Sequence, residues 1–165
     1  MAKYSRDLDA ALVEKVKTVV TQFGLKEKGV KVEAIKLIKG NTYGEVMKAN
    51  ELTKLFTGED DIIAVALYED LFDKIDTKMQ YVLIENLLEQ VVVEETKDGD
   101  YKIKVEKPQL NLGINTYHRY GDIATQNLEA ALLILDQMAE QEKELKEMAK
   151  AEKALKKKQN KTKRL

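Results

Sequence analysis

The sequence predicts an α+β domain followed by a long C-terminal helix and a basic tail. Residues 30–39 alternate apolar and charged residues, as a half-buried strand does, while several other segments repeat apolar residues at helical spacing. Residues 123–158 contain neither proline nor glycine, which favours one long helix. We therefore divide the chain into a globular domain at 1–121, the long helix at 122–152 and a tail at 153–165 that is predicted to be disordered.

The first helix is predicted over residues 8–23, with Ser5 as its N-cap and Gly24 as its stop. Its apolar residues recur at helical spacing: Leu8, Leu12, Val16, Val19, Val20 and Phe23. The alternating segment that follows, residues 30–39, predicts a strand buried on one face.

In the middle of the domain, two segments have patterns that predict an element clearly and one segment has a weak pattern. Residues 43–56 are weakly patterned and are predicted to form a loop with short helical or extended pieces. The continuous apolar run at 62–68 predicts a central strand buried on both faces. A short helix is predicted over 70–75.

A central helix is predicted over residues 77–90. Thr77 and Gln80 have the spacing of a capping box, with Thr77 as the N-cap. Behind them lies a wide apolar stripe: Met79, Val82, Leu83, Leu87, Leu88 and Val91. A stripe of this width predicts that the helix packs at the centre of the core.

A β-hairpin and two helices complete the predicted elements. Residues 91–95 and 101–105 read as paired strands around a turn that contains Asp98-Gly99. Residues 110–120 are predicted to be helical despite an internal glycine. The long helix then begins, and it is predicted to fray after Leu155. Its apolar stripe consists of Leu128, Leu132, Leu135, Met138, Leu145 and Met148.

Composition excludes several classes of site. The chain has no cysteine and one histidine, which rules out disulfides, thiolate nucleophiles and any metal site that needs two imidazoles. That histidine, His118, is predicted to be structural because no nucleophile or supporting carboxylate is indicated beside it. The start lacks the apolar stretch of a signal peptide, and no apolar run approaches the roughly 18 residues of a membrane helix. We expect no membrane partner and a cytosolic location.

Several stretches, in their order and spacing, resemble a phage metallopeptidase family with a zincin-like domain. These stretches are residues 48–52, 55–58, 61–65, 77–88, 98–103 and 119–121. The resemblance spans about residues 30–121. It implies a short mixed sheet and a hairpin packed on the central helix, and a phage protein located in the host cytoplasm.

The resemblance also implies that the zinc site of this family has been lost. The family's central helix carries His-Glu-x-x-His, and a third ligand follows the hairpin. The matching positions here are Glu85, Asn86 and Glu89, and Pro108-Gln109 stands at the third-ligand position. We therefore expect a non-catalytic pseudoenzyme without a cofactor, whose former metal face is solvated or faces a partner. As an alternative, Glu85 and Glu89 share a helix face and could weakly chelate Mg²⁺ or Ca²⁺.

Charge is segregated along the chain. The tail at 153–165 has seven basic and no acidic residues, whereas the preceding 152 residues have 21 basic and 29 acidic residues. The basic residues of the tail are Lys153, Lys156, Lys157, Lys158, Lys161, Lys163 and Arg164. A polyanion would therefore meet the tail first and be repelled by the body.

Three functions remain open from the sequence. The first is nucleic-acid binding in phage replication or transcription, with single-stranded DNA favoured because no recognition helix or basic groove is evident. The tail would bind phosphates, with help from Lys102, Lys104 and Arg119, while an exposed Tyr101 would stack on bases. The simpler alternative is that the tail only solubilises the protein and that most tyrosines are core residues.

The second function is a protein-interaction module, either a virion component or an inhibitor of a host protein. The long helix would pair with a partner or with a second copy, giving a homo-oligomer. An interruption of the apolar stripe between Met138 and Leu145 argues against a regular coiled coil. The third function is a residual metal-dependent hydrolase with carboxylate ligands.

Overall fold

The chain folds as an α+β domain from which a long C-terminal helix extends, which confirms the predicted class. The computed structural model describes residues 3–48, 62–107 and 113–162, and side chains within these ranges except those of Ile114 and of residues 157–162. The strands are β1 (Tyr4–Ser5), β2 (Lys31–Leu37), β3 (Gly44–Lys48), β4 (Ile62–Leu67), β5 (Val91–Glu95) and β6 (Tyr101–Val105). The helices are α1 (Ala10–Gln22), α2 (Glu69–Phe72), α3 (Thr77–Leu88), α4 (Ile114–Tyr120) and α5 (Asp122–Thr162).

Four strands form a mixed sheet in the order β1-β2-β4-β3. The β2–β4 pair is parallel, and the other two pairs are antiparallel. All six residues of β4 are buried, so the prediction of a central strand covered on both faces is confirmed. Within residues 43–56, residues 44–48 form the edge strand β3, and the remainder from residue 49 onward lies outside the described residues.

Two apolar clusters cover the two faces of this sheet. The larger one packs the sheet against α1, α3 and the beginning of α5. The smaller one, on the other face, contains Ile35 and Leu37 of β2 together with Ala64 and Ala66 of β4. The prediction that β2 is buried on one face only is therefore wrong. Val32 and Ala34 face the larger cluster, whereas Ile35 and Leu37 face the smaller one, because the alternation of apolar residues shifts by one position between Ala34 and Ile35.

Helix α1 begins later than predicted because Asp9, not Ser5, is its N-cap. The Asp9 carboxylate accepts hydrogen bonds from the backbone N–H groups of Ala11 and Leu12, at 2.9 and 3.3 Å. Ser5 lies instead in β1 and pairs with Lys36 of β2. The predicted stop is consistent with the structure, since Gly24 follows the helix with a φ of +63° that favours glycine.

The capping box predicted at α3 is also displaced by one residue. Asp76 is the N-cap and accepts from the backbone N–H of Met79 at 2.8 Å, which leaves Thr77 as the first helical residue. The amide of Gln80 does not close a capping box but donates to the carbonyl of Phe72 at 2.7 Å. The predicted central position of the helix is confirmed, because seven consecutive residues from Val82 to Leu88 are buried.

The hairpin has the predicted strands and turn. Val91 pairs with Val105 and Val93 with Ile103, and Gly99 adopts a φ of +83° in the turn. Helix α4 starts at Gly113, which is its N-cap, so the glycine marks the beginning of the helix rather than its interior. Residues 110–112 of the predicted helix lie outside the described residues.

Helix α5 packs on the body only through its first half. Its buried side chains are Ala124, Leu128, Ala131 and Leu135. Every side chain from residue 139 to 156 is exposed, yet the helix continues to Thr162. The fraying predicted after Leu155 is therefore not observed in residues 156–162. Two predicted ion pairs support this segment, Glu142–Lys146 at 2.7 Å and Glu152–Lys156 at 3.2 Å.

In the part of the chain that the structure describes, no helix is both long enough and apolar enough to cross a membrane.

Candidate functional site

The positions that the resemblance matches to His-Glu-x-x-His lie at the end of α3 and face the interior of the domain, and we call these three residues, Glu85, Asn86 and Glu89, the α3 polar face. Glu85 is 5% exposed, Asn86 is 1% exposed, and Glu89 is half-buried. The prediction that this face is solvated or directed at a partner is therefore wrong. The face is covered by the chain's own segment at 113–120, which includes α4, and each of the three side chains contacts that segment.

Asn86 links two distant parts of the chain through its side-chain amide. The amide nitrogen donates to the hydroxyl of Tyr43 at 2.6 Å, and the amide oxygen accepts from the backbone N–H of Gly113 at 2.7 Å. Burial raises the pKa of the Tyr43 phenol, and the Asn86 contact partly offsets this. Both ends of the bridge are buried, so the amide satisfies polar groups that water does not reach.

Glu89 holds the first turn of α4. Its carboxylate accepts from the backbone N–H of Asn115 at 2.6 Å, the backbone N–H of Thr116 at 2.9 Å and the Thr116 hydroxyl at 2.6 Å. Thr116 is fully buried, so this carboxylate is the acceptor for a hydroxyl inside the protein. A carboxylate at the beginning of a helix is also favoured by the helix dipole.

The position of this carboxylate explains why residue 113 is glycine. A Cβ atom at Gly113 would overlap the Glu89 carboxylate, lying 2.7 Å from its Oε1 atom. The backbone of Gly113 is also the group that donates to Asn86. The absence of a side chain therefore lets α4 approach α3 closely enough for both contacts.

Glu85 is held by the end of α4. Its carboxylate accepts from Arg119 Nε at 2.8 Å and from the Tyr120 hydroxyl at 2.6 Å. Burial, reinforced by the contact with Glu85, raises the pKa of Tyr120 to about 12. The Arg119 guanidinium also lies over the ring of Phe23, 4.9 Å from its centre.

These contacts decide what the α3 polar face can do chemically. The oxygen atoms of Glu85 and Glu89 accept N–H and O–H donors of α4, which a cation would have to displace. Within residues 3–48, 62–107 and 113–162, no group of three or more metal-ligating side chains occurs. Pro108 and Gln109 lie outside the described residues. The hydrogen bonds of the α3 polar face thus attach α4 to α3.

The hairpin divides its candidate nucleic-acid residues between two faces. Tyr101 is 51% exposed and lies opposite Glu95, whereas Lys102 and Lys104 point to the other face because side chains alternate along a strand. Lys104 also pairs with Glu94 at 2.7 Å, and this contact raises the pKa of Lys104. The structure therefore does not bring Tyr101 together with these two lysines.

The remaining candidates lie on α4 and α5. The Arg119 side chain keeps 41% of its surface exposed but is paired with Glu85. His118 is exposed, with its ring 6.3 Å from that of Tyr117. Lys153 and Lys156 are exposed on α5, and residues 157, 158 and 161 belong to the same helix. Lys163 and Arg164 lie outside the described residues.

Sequence reasoning missed the residues that contact the α3 polar face. Tyr43, Gly113 and Thr116 are separated from their partners on α3 by 27 to 43 residues. The one sequence signal for them is that two carboxylates and an amide lie among the apolar residues 82–84, 87 and 88 at the end of this helix. Such a pattern calls for internal polar partners, because buried polar groups are almost always hydrogen-bonded.

We compared the chain with models of known families, with curated proteins and with solved structures, and none of the three comparisons gave a match. The resemblance to the phage metallopeptidase family therefore rests on the sequence stretches alone.

Proposed function

We propose that the protein is a non-catalytic nucleic-acid-binding protein, with single-stranded DNA as its favoured ligand. The observation that supports this most is the projecting half of α5. From residue 139 to residue 156 its side chains are exposed, and beyond Glu152 every charged residue of the chain is basic. A helix that extends from an acidic body and ends in a cluster of lysines presents its positive charge away from the groups that would repel a polyanion.

The arrangement of the lysines favours contact with phosphates over reading of bases. An α-helix turns by about 100° per residue, so positions 153, 156, 157, 158 and 161 are spread over more than half of its circumference. A recognition helix in a duplex groove directs its contacts from one face. A spread of charge suits a flexible strand that can wrap around the helix, and it predicts salt-dependent binding with little sequence preference.

The hydrogen bonds of the α3 polar face support the non-catalytic part of the proposal. By the sequence resemblance, Glu85 and Glu89 stand at the zinc-ligand positions and Asn86 at the position of the general base, and here their hydrogen bonds attach α4 to α3. The sequence resemblance supports a phage protein located in the host cytoplasm, and binding of single-stranded DNA would give it a role in replication or transcription. Tyr101 is the exposed ring that would stack on bases.

The test is binding to fluorescent single-stranded and double-stranded DNA across a salt series. A variant with Lys156→Gln, Lys157→Gln and Lys158→Gln is expected to bind single strands much more weakly at low salt. The slope of log affinity against log salt should fall by about 2, because each phosphate contact on a single strand contributes about 0.7.

A matched control removes the same charge from the same helix nearer to the body, with Lys143→Gln, Lys146→Gln and Lys150→Gln. This control should bind nearly as well as the wild type. Equal loss in both variants would mean that only net charge matters, and no loss in either variant would refute a role for the basic end of α5.

A second candidate function is a protein-interaction module, which the exposed apolar residues of α5 favour. Leu145, Met148 and Leu155 are 64%, 63% and 60% exposed. Large apolar side chains on a projecting helix are typical of a surface that another helix covers. A phage or host protein that binds there should be lost on Leu145→Asp, whereas DNA binding through the lysines should persist.

A further inference from the structure

We propose that the projecting half of α5 pairs with the same segment of a second copy in antiparallel orientation, which makes the protein a dimer. This inference rests on the second candidate function, for which it names the partner. It does not depend on nucleic-acid binding, because positions 153, 157 and 161 lie outside the seam in the heptad and would stay available in a dimer, whereas Lys156 would pair with the second copy.

The apolar residues of this segment lie on one seam. Leu145, Met148 and Leu155 follow heptad spacing, with Leu145 and Glu152 at a positions and Met148 and Leu155 at d positions. Within the described structure Met148 and Leu155 extend into solvent, and Leu145, although exposed, lines an open groove between α5 and the body. Burial of each against a second helix is favourable by roughly 1.5 to 3 kcal/mol at most.

Charge selects the antiparallel orientation. Residues 136–147 have five acidic and two basic residues, whereas residues 150–162 have six basic and one acidic. In a parallel pair the two acidic segments would lie side by side, and so would the two basic segments. In an antiparallel pair with Leu145 opposite Leu155 of the second copy, Glu142 flanks the seam beside Lys156 of the second copy, and by symmetry this contact occurs twice.

The length of the free helix selects the register. With Leu145 opposite Leu155 of the second copy, Thr162 lies opposite Met138, where α5 leaves the body. The overlap is then about 37 Å long and spans α5 from Met138 to its end at Thr162. A shift of one heptad in one direction would place Thr162 opposite Ala131, which the body buries. A shift in the other direction would place Leu145 opposite Thr162 and lose the apolar contact.

One residue weakens the seam. Glu152 occupies an a position opposite Met148 of the second copy, although it pairs with Lys156 of its own chain at 3.2 Å. A charged residue at a core position specifies register at a cost in stability. The dimer is therefore expected to be weak, and Glu152→Leu should tighten it.

The first experiment uses the fact that the chain has no cysteine, so that each introduced thiol is the only one. Leu145→Cys and Leu155→Cys proteins are oxidised separately and as an equal mixture. The proposal predicts a disulfide-linked dimer in the mixture and none in either protein alone, because thiols at 145 and 155 meet only across an antiparallel pair. Both positions are exposed, so the body should remain folded, which thermal unfolding checks.

Lys150→Cys is the control for random collision, since position 150 faces away from the seam. Cross-linking of each single variant with itself would indicate a parallel pair and overturn the proposal. The proposal would also be overturned if the Lys150→Cys protein cross-linked to the same extent as the mixture of the Leu145→Cys and Leu155→Cys proteins, or if that mixture did not cross-link.

A second experiment measures the dissociation constant of the dimer by analytical ultracentrifugation. Glu142→Lys and Lys156→Glu are each expected to raise the dissociation constant of the dimer about tenfold. The double variant should bring the dissociation constant most of the way back to the wild-type value. In a parallel pair these positions lie 14 residues apart along the seam, and the double variant would restore nothing. A monomeric wild type would refute the dimer, while DNA binding measured on the same sample would show independently whether the nucleic-acid function holds.

Discussion

Replacement of Glu89 by alanine tests whether the α3 polar face stabilises the fold by holding α4. The carboxylate accepts three hydrogen bonds from the start of α4, two from backbone N–H groups and one from the buried hydroxyl of Thr116. If Glu89 were a residue left over from a lost zinc site, its removal would have little effect on folding.

The magnitude follows from the groups left without a partner. Loss of an acceptor at a helix N-terminus costs about 1 kcal/mol. A buried hydroxyl such as that of Thr116, left without its acceptor, costs about 1 to 3 kcal/mol more. Glu89→Ala should therefore lower the free energy of unfolding by about 2 to 4 kcal/mol. Glu89→Gln keeps one acceptor oxygen, but its NH2 group would face a backbone N–H that the second oxygen now accepts, so it should lower the free energy of unfolding by at least about 1 kcal/mol.

The assay is urea denaturation followed by circular dichroism, with Glu95→Ala on the exposed hairpin as the matched control. That control should change the free energy of unfolding by less than about 0.5 kcal/mol. Hydrogen exchange at the amides of Asn115 and Thr116 should accelerate in Glu89→Ala. A stability equal to that of the Glu95→Ala control, with unchanged exchange at these two amides, would refute the structural role.

Three further predictions concern the same region. Gly44→Ala should destabilise the domain by about 1 to 3 kcal/mol in the same denaturation assay, because its Cβ would lie 2.6 Å from Leu87 Cδ1 and 2.7 Å from a backbone oxygen of β4. An unchanged denaturation midpoint would contradict this close approach. The pKa of Tyr120 is raised to about 12, so the stability that its hydroxyl contributes is present below pH 10 and is lost as the pH rises towards 12. The difference in unfolding free energy between wild type and Tyr120→Phe should therefore shrink over that range. A constant difference would argue against the contact with Glu85. Purified protein should contain no stoichiometric metal, and added Mg²⁺ should leave its melting temperature unchanged; metal at one equivalent by elemental analysis would revive the hydrolase interpretation.

Local sequence patterns were reliable where the periodicity was strong. The continuous apolar run at 62–68 predicted a strand buried on both faces, and the Asp-Gly turn predicted the hairpin, because both signals depend on residues close in sequence. Helix ends were less well predicted, since Ser5 and Thr77 are good capping residues but Asp9 and Asp76 lie nearby and cap instead. A choice between neighbouring caps depends on where the helix packs.

The faces of the hairpin could have been assigned from the sequence. Tyr101 and Lys102 are adjacent in a strand, and adjacent side chains point to opposite faces. Their separation was therefore available from the two-residue period, although the ion pair between Lys104 and Glu94 was not, because it crosses from one strand to the other.

The sequence by itself determined the fold class, the order of the main elements and the segregation of charge towards the basic end of α5. Those properties follow from apolar periodicity and composition, which are local. Only the tertiary structure decided the role of Glu85, Asn86 and Glu89. Their partners lie 26 to 43 residues away, and no local pattern shows which distant backbone groups a polar side chain will meet. Burial then makes those contacts obligatory, because a polar group shielded from water must find its hydrogen bonds within the protein.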